Sequence, residues 1–430
     1  MTESFLHYVW RHTLYQFIDI HSIDGRRLQV IHPGYPHQDA GPDFKQAVIK
    51  IDDITWAGDV EIHLKSSDWL KHGHQNDAKY RSVILHVVYE HDVDILRTQG
   101  EYYPTLELKS YIPQTLLDEY LKLSRSENDL PCQSQLNILS QLQLTSILSG
   151  KAIERLFHKQ ENILNIVEQC QANWEEAFFR ILAMNFGFKT NTTAFELLGK
   201  SLPFKYIQKH AHVRTQIYAL LFGQAGMLEE DIAEDEYCHT LFEEYHYLKY
   251  KYRLAPIPEK SWNYLRLRPR NFAALRLAQL SELLHHHPTL FQQMREFPEQ
   301  EQIEKLFVCT PHLYWETHSK FGKTTTKRDC APGKETINLL LINTVVPMLF
   351  AHAAFHGEEQ LQQKALAILE QCPFEKNSIT IPYKEAGFPS DSALESQAII
   401  ELHHHYCKKK KCLDCEVGST ILRRNEKAEN

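Results

Sequence analysis

The sequence predicts an α/β domain followed by a larger, all-helical region. Apolar residues alternate along Phe44–Ile51 and Asp59–Lys65, as in two half-buried strands, and Asp52–Asp53 supplies a turn between them. The nearly continuous apolar run Val83–Glu90 is typical of a central strand that is buried on both faces. Beyond residue 137 the apolar residues recur almost throughout at helical spacing.

Weaker signals complete the first domain. Residues 4–18 and 66–82 have helical patterns. Arg27–His32 and Thr105–Ile112 are predicted to be short strands, the second of them at a sheet edge. The predicted order of elements is therefore helix, strand, two-stranded hairpin, helix and strand.

A chain of 430 residues is long enough for two or three domains. We predict an α/β domain over residues 1–124, a helical domain over 137–400 and a C-terminal cysteine cluster over 401–424. The segment 124–136 is polar, and we predict that it is a linker between the first two.

Charge and composition limit the function classes. The net charge is −8, so any binding of nucleic acid must depend on a local basic patch. Met1–Arg11 lacks the apolar stretch of a signal peptide, and the nine cysteines are expected to be reduced, which predicts a cytoplasmic protein. The most apolar stretch, Ile337–Phe355, contains several polar residues and is predicted to form buried helices rather than a membrane span.

Two acidic residues lie on the predicted hairpin. Asp43 opens its first strand, and alternation along the returning strand puts Glu61, His63 and Lys65 on one face. Three polar residues on an inner strand are costly unless they face a polar cleft. Carboxylates that converge in such a cleft can hold Mg²⁺ or Mn²⁺, which would activate water for attack on a phosphodiester.

The runs GPD (41–43) and EIH (61–63) resemble the signature of the PD-(D/E)XK nucleases. The predicted order of elements is also similar to the αβββαβ, restriction-endonuclease-like core of that family. The resemblance covers about residues 1–112, roughly a quarter of the chain.

This resemblance implies roles for individual residues. Asp43 and Glu61 would bind the metal ion. His63 stands where the family usually has lysine, and Lys65 follows two residues later. Either residue would orient the attacking water or stabilise the developing negative charge. Glu3 would correspond to an additional acidic residue that some members carry near the first helix.

The whole chain also resembles a bacterial family that is catalogued as a domain of unknown function. The shared runs are GPDF (41–44), GDVEIH (58–63), HGH (72–74) and ILHVV (84–88), together with the C-terminal cysteines. This second resemblance implies no activity.

Further histidines follow the hairpin. His72 and His74 fall in the predicted helix, where His74 and Asp77 would share a face. They are interpreted either as metal ligands and cleft residues that contact phosphate, or as residues of the helix surface. His86 lies in the next strand and is predicted to be a core histidine.

Three cysteines near the C-terminus have the spacing C-x4-C-x2-C, namely Cys407, Cys412 and Cys415. Thiolates this close together favour zinc or an iron–sulfur cluster, and the lysines between them would help to keep the thiols ionised. The alternative is three reduced cysteines without a metal. The candidates for a fourth ligand are Cys330, Cys372, His403 and His404.

The helical region contains one basic and aromatic segment, residues 251–276, in which Glu259 is the one acidic residue. Arginine forks bind phosphates and aromatic rings stack on bases, so the segment predicts a nucleic-acid contact centred on Arg266, Arg268 and Arg270. The alternative is a solvated surface. The basic residues are Lys251, Arg253, Lys260, Arg266, Arg268, Arg270 and Arg276.

Together these features favour a metal-dependent nuclease or phosphodiesterase that acts on nucleic acid. One alternative is a non-catalytic nucleic-acid-binding or scaffold protein on a degenerate nuclease core, which a histidine at the usual lysine position favours. The other is an unrelated metalloenzyme that uses His63, His72 and His74.

Overall fold

The predicted hairpin lies at the centre of a seven-stranded mixed sheet in a computed structural model of the chain. The structure describes residues 1–16, 18–37, 39–97, 100–228, 235–265, 271–296 and 299–424. The chain forms two units: the first comprises Met1–Ile147, Glu385–Phe388 and Leu402–Asn430, and the second Leu148–Lys384 and Pro389–Glu401. An α/β region followed by a larger helical region confirms the predicted fold class.

The sheet of the first unit has the order β1-β2-β4-β5-β6-β7, with β3 paired to β4. Strands β4 and β5 are antiparallel, whereas β6 runs parallel to both β5 and β7. Edge strand β7 confirms the prediction for residues 105–107. The strands are β1 (Ile20–His21), β2 (Arg27–His32), β3 (Tyr35–Pro36), β4 (Phe44–Ile51), β5 (Ile54–Lys65), β6 (Val83–Glu90) and β7 (Thr105–Glu107).

Helix α1 (Glu3–Arg11) packs against β5. The Thr2 side chain caps this helix by accepting a hydrogen bond of 3.3 Å from the amide of Phe5. Five of the nine side chains of α1 are buried, namely Phe5, Leu6, Tyr8, Val9 and Trp10, and they form the face that packs on the sheet. His7 is a polar exception within this buried surface.

The connection between β5 and β6 differs from the prediction. A single helix over residues 66–82 is wrong: the segment forms the short helix α2 (Asp68–Lys71) and two 3-10 turns, His74–Asn76 and Ala78–Ser82. Gly73 follows α2 and adopts a left-handed conformation with φ 76°, so the helix cannot continue into His74–Asn76. His74 and Asp77 therefore do not share a helix face.

The segment that we predicted to be a polar linker instead packs into the first unit. Leu130, Cys132 and Leu136 are buried, and Gln133–Ile138 forms a 3-10 helix. The remaining helices of this unit are α3 (Gln114–Arg125) and α19 (Glu416–Arg424), and a π-helical turn spans Leu402–Cys407.

The second unit is built from helices around an apolar core, with one small hairpin. Helix α4 (Gln141–Gln169) has residues in both units. The further helices are α5 (Trp174–Phe186), α6 (Phe188–Ser201), α7 (Phe204–His210), α8 (Arg214–Gln224), α9 (Glu236–Tyr252), α10 (Ala273–His286), α11 (Leu290–Glu296), α12 (Gln300–Leu306), α13 (Tyr314–Thr317), α14 (Lys334–Leu340), α15 (Val346–His356), α16 (Glu359–Gln371), α17 (Thr380–Glu385) and α18 (Ala393–Glu401). The hairpin strands are β8 (His318–Lys320) and β9 (Lys323–Thr324).

One helical stretch of the described residues, Lys334–His356, has the length and apolar composition that crossing a membrane would require. It consists of α14, a π-helical turn at Leu341–Val345 and α15. Within its most apolar window 83% of the residues are buried inside the fold. Such burial is typical of a core helix.

Candidate metal centre

Two carboxylates from adjacent strands interlock at the end of the hairpin. The amide of Asp43 donates a hydrogen bond of 3.2 Å to Oε2 of Glu61. In return the amide of Ile62 donates one of 2.9 Å to Oδ2 of Asp43. The Asp43 side chain is about a quarter exposed, and that of Glu61 is buried. The two predicted metal ligands are thus brought together across the hairpin.

A local irregularity in β4 precedes this contact in the sheet. The pairing of β4 with β5 shifts between Phe44 and Ala47, and Gln46 adopts a positive φ of 60°. The carboxylate of Asp59 accepts the amide of Gln46 at 3.1 Å and the hydroxyl of Ser82 at 2.6 Å. The bulge is therefore stabilised by Asp59 of β5, whose carboxylate Ser82 holds in place; such bulges are common beside functional sites.

Three imidazoles approach the Glu61 carboxylate or one another. Nε2 of His74 lies 3.2 Å from Oε1 of Glu61, and Nε2 of His63 lies 3.5 Å from the same oxygen. Nε2 of His63 is also 3.1 Å from Nδ1 of His72. One ring nitrogen from each of His63, His72 and His74 lies within 4.8 Å of the others. We call Asp43, Glu61, His63, His72 and His74 the carboxylate–histidine cluster.

Burial and like charges strongly perturb this cluster. Burial and the nearby Asp43 carboxylate raise the pKa of Glu61 to about 9. Burial and the neighbouring imidazoles of His86, His74 and His72 lower the pKa of His63 to about 3. Burial and His72 also lower the pKa of His74. His63 and His74 are thus neutral at pH 7, the form in which histidine binds metals.

Aromatic side chains form the apolar wall of the cluster. The ring of Tyr80 stacks on His74 with 3.8 Å between ring centres, and Trp69 is fully buried beside His74 and His86. Nε2 of His86 lies 2.9 Å from Nδ1 of His63. His86 is a buried core residue, as predicted, and it also orients a histidine of the cluster.

His7 of α1 contributes to the cluster, and the sequence analysis missed it. Its Nε2 lies 3.3 Å from Oδ2 of Asp43. Burial tends to lower the pKa of His7, but the carboxylates of Asp43 and Glu3 outweigh this effect, and the pKa is raised. The charge of Glu3 also contributes to the raised pKa of Glu61, so this acidic residue lies within electrostatic range of the cluster. The available signal was a histidine between the buried apolar residues Leu6 and Tyr8 of α1.

Lys65 occupies a different environment from His63, although both lie on β5. The Lys65 side chain is exposed, and its amide donates to Oδ2 of Asp68 at 3.0 Å. Partial burial tends to raise the pKa of Asp92. Hydrogen bonds from Ser67 and Ser66 and the charge of Lys65 outweigh this effect and lower the pKa. The cation therefore lies near the end of β6, whereas His63 is enclosed by other histidines.

The donor set suits a divalent metal ion. Within the described ranges no lysine or arginine nitrogen lies within 4.0 Å of Asp43 or Glu61 to neutralise them. Among the described residues, Nδ1 of His86 is buried without a hydrogen-bond partner. Two acidic side chains beside neutral imidazoles offer the oxygen and nitrogen ligands that Mn²⁺, Fe²⁺ or Zn²⁺ binds.

A cavity of about 130 Å³ adjoins His74. Two arginines line it. The guanidinium of Arg97 donates to the carbonyl of Val83 at 2.6 Å and lies 4.7 Å above the ring centre of Tyr103. Arg81 is exposed. The cavity therefore places positive charge beside the carboxylate–histidine cluster.

Comparison with known proteins identifies the family of the chain. The family model described as "Protein of unknown function (DUF2851)" matches residues 3–378. The chain belongs to this family. The match includes the whole carboxylate–histidine cluster, and it confirms the family resemblance seen in the sequence. No curated protein and no solved structure matches the chain, so the resemblance to PD-(D/E)XK nucleases stays a prediction.

The basic segment of the helical region is only partly described. Arg266, Arg268 and Arg270 lie outside the described residues, so their predicted contact with nucleic acid stays a prediction. Arg276, which we counted in the same patch, is buried and donates to Gln279 at 2.9 Å. Including Arg276 in a surface patch is therefore wrong.

The three C-terminal cysteines are buried in the first unit together with Cys132. Two of the proposed fourth ligands belong to the second unit, where each has a partner. Cys330 donates to the carbonyl of Trp315 at 2.7 Å, and Cys372 accepts from Gln300 at 3.6 Å. Cys132 was missed because it lies far from the C-terminal cysteines in the sequence.

Proposed function

We propose that this protein is a metal-dependent nuclease, or a related phosphodiesterase, whose active site is the carboxylate–histidine cluster. The observation that carries the proposal is the interlocked pair Asp43 and Glu61, which presents two carboxylates from adjacent strands to one cleft. Asp43, Glu61 and His74 would hold the metal ion. A bound divalent cation would polarise the phosphate and lower the pKa of the attacking water.

The imidazoles bear on the choice of metal. Mg²⁺ prefers oxygen ligands almost exclusively, whereas Mn²⁺ also accepts imidazole nitrogen. Because His74 and His63 lie within 3.5 Å of Oε1 of Glu61, we propose Mn²⁺ rather than Mg²⁺ as the effective ion.

The other side chains would bind and orient the substrate. Both ring nitrogens of His63 have imidazole partners, His72 and His86. Its role would therefore be to position His72. Lys65 is exposed. It would stabilise the developing negative charge, the role that the resemblance to PD-(D/E)XK nucleases implies for a lysine. Arg81 and Arg97 would bind a neighbouring phosphate of the nucleic acid.

The same proposal places the protein in a reducing compartment. None of the nine cysteines forms a disulfide, and each is buried. Reduced cysteines in this number are typical of cytoplasmic proteins.

A second function is favoured by a separate observation. The three imidazoles of His63, His72 and His74 approach closely enough to bind a transition metal without Asp43. A protein of this kind would retain that metal through purification and would lose it when the histidines are replaced.

The test is a cleavage assay with the full-length chain. Labelled single- and double-stranded DNA and RNA are incubated with Mn²⁺, with Mg²⁺ or with a chelator. We expect cleavage with Mn²⁺, weaker cleavage with Mg²⁺ and none with the chelator. Asp43→Asn and Glu61→Gln should each lower the rate at least about a hundredfold, whereas Asp53→Asn, an exposed turn residue, should leave it unchanged.

Two results would overturn the proposal that this protein is a nuclease. One is cleavage in Asp43→Asn at the wild-type rate. The other is the absence of cleavage of every substrate, accompanied by salt-dependent binding that survives both substitutions, which would identify the non-catalytic nucleic-acid-binding alternative.

A further inference from the structure

Four buried thiols come together in the first unit. Cys132, Cys407, Cys412 and Cys415 are each at most 9% exposed and free of disulfides. Burial, followed by the thiols of Cys407, Cys415 and Cys412, raises the pKa of Cys132 well above its usual range. All three C-terminal thiols therefore lie within electrostatic range of Cys132, although it is distant from them in the sequence.

The C-terminal cysteines lie on a tightly turned segment. The amide of Lys410 donates to the carbonyl of Cys407 at 3.0 Å, and Lys410 itself has a positive φ of 53°. The amide of Ser419 donates to the carbonyl of Cys415 at 2.7 Å. The chain thus turns back on itself directly after Cys407, so that the three cysteines lie on one short, compact segment.

Gly418 is required by this arrangement. A Cβ atom at this position would lie 2.1 Å from the carbonyl oxygen of Cys412, closer than any real side chain allows. Helix α19 can therefore pack on the backbone of Cys412 only because residue 418 lacks a side chain.

Two hydrogen bonds join this segment to the chain on either side of Cys132. Nζ of Lys410 donates to the carbonyl of Asn128 at 2.7 Å. Nη1 of Arg424 donates to the carbonyl of Ile138 at 2.9 Å. Helix α19 also packs against α3. Cys132 is thus held against the C-terminal turn by contacts that do not involve its own thiol.

We propose that Cys132, Cys407, Cys412 and Cys415 form a four-thiolate centre that holds zinc or an iron–sulfur cluster. Both groups take four cysteine ligands, and Cys132 completes the set that the C-terminal spacing leaves open. Four ionisable thiols buried together repel one another once ionised, and a bound cation removes that cost. The centre shares no residue with the carboxylate–histidine cluster, so it stands or falls independently of the proposed nuclease.

The centre would cross-link two parts of the first unit that are far apart in the sequence. In the chain, most of the second unit lies between Cys132 and Cys407. Linking two points so far apart in sequence restricts the unfolded chain strongly. Loss of the metal should therefore release residues 402–424 from the first unit before the sheet unfolds.

The test measures sulfur-bound metal in the full-length chain, purified without oxygen or chelators. Metal analysis and X-ray absorption at the zinc and iron edges should find sulfur ligands at about 2.3 Å. We expect Cys132→Ala and Cys412→Ala to lower the sulfur-bound metal at least tenfold, and Cys238→Ala, buried in the second unit, to leave it unchanged. Brown colour that bleaches on reduction would identify iron–sulfur, and colourless protein with zinc would identify zinc.

The proposal is overturned if the wild-type chain holds no sulfur-ligated metal, or if Cys132→Ala holds as much as the wild type. A second measurement avoids substitutions that impair folding. Alkylation of the wild-type chain, read by mass spectrometry, should modify the four thiols together only after a chelator is added, while Cys238 stays protected. Alkylation that is independent of the chelator would also overturn the proposal.

Discussion

The amide of Asp43 donates a hydrogen bond to the side chain of Glu61, so the backbone of one acidic residue holds the carboxylate of the other. The reciprocal bond from Ile62 to Asp43 makes the pair rigid. Carboxylate geometry in this cleft is therefore set by strand pairing, and it does not depend on a long flexible side chain.

Glu61→Gln should stabilise the metal-free protein while abolishing its response to metal. Burial and Asp43 raise the pKa of Glu61 to about 9, so at pH 7 the folded chain must keep this group protonated at a cost. An uncharged amide avoids a cost of about 3 kcal/mol. Urea unfolding with a chelator and with Mn²⁺ measures both effects.

The wild-type protein should gain about 3 kcal/mol from Mn²⁺ at a hundred times its dissociation constant, and Glu61→Gln should gain nothing. Glu90→Gln, at an exposed strand end, is the matched control and should behave like the wild type. A Glu61→Gln variant that is less stable without metal would show that the carboxylate has a purely structural role.

Gly58→Ala should separate strands β5 and β6. A Cβ atom at residue 58 would lie 2.4 Å from Cγ2 of Ile84 and 2.6 Å from the carbonyl oxygen of Ser82. We expect a loss of about 2–3 kcal/mol in unfolding free energy. Gly150→Ala is the control, because this exposed helical glycine has open space around it and should gain about 0.5–1 kcal/mol. Equal effects at the two sites would contradict the close approach of the strands.

Arg276→Ala should destabilise the second unit by about 3 kcal/mol. Its buried guanidinium donates to Gln279 and Asn271 and lies 4.4 Å from the ring centre of Phe188. Lys251→Ala removes an exposed cation and should change stability by less than about 0.5 kcal/mol. Urea unfolding of the two variants compares a structural with a surface basic residue, and a small loss in Arg276→Ala would contradict the structural role.

The second unit should lose stability in mild acid because of His352. Burial, with the charges of Arg295 and His356, lowers the pKa of this histidine to about 4. A histidine whose pKa is lowered on folding stabilises fully above its unfolded value near 6.5, and this contribution is lost as the pH falls towards 4. Between pH 7 and pH 5 the loss should be about 2 kcal/mol.

His352→Phe should remove this acid sensitivity, because the new ring can pack against Trp174 and Phe291 as the imidazole does. His239→Gln changes an exposed histidine and should retain it. The measurement is the unfolding free energy at pH 7 and pH 5. Identical pH dependence in His352→Phe and the wild type would show that another group is responsible.

The acidic half of the candidate site was predictable from the sequence. Period-two alternation defines the faces of a strand, so the convergence of Asp43 with Glu61 followed from the hairpin alone. The connection after Lys65 was not predictable in the same way. One left-handed glycine, Gly73, ended the helix that the pattern around it favoured.

Long-range partners escaped prediction for a different reason. Cys132 and His7 meet residues far away in the sequence, and spacing carries no information about such contacts. Arg276 resembles its exposed basic neighbours in sequence, and only the packing of α10 distinguishes it. Burial of a polar side chain is decided by tertiary structure, which local patterns do not report.

The carboxylate–histidine cluster takes its two acidic side chains from the hairpin and two of its imidazoles from the irregular turn around Gly73. The hairpin and the turn are separate elements, so sequence changes in one need not disturb the other. If the cluster holds the proposed metal ion, replacing His72 or His74 would change the preferred ion without disturbing strand pairing, and relatives of this chain would then differ in metal preference on one unchanged scaffold.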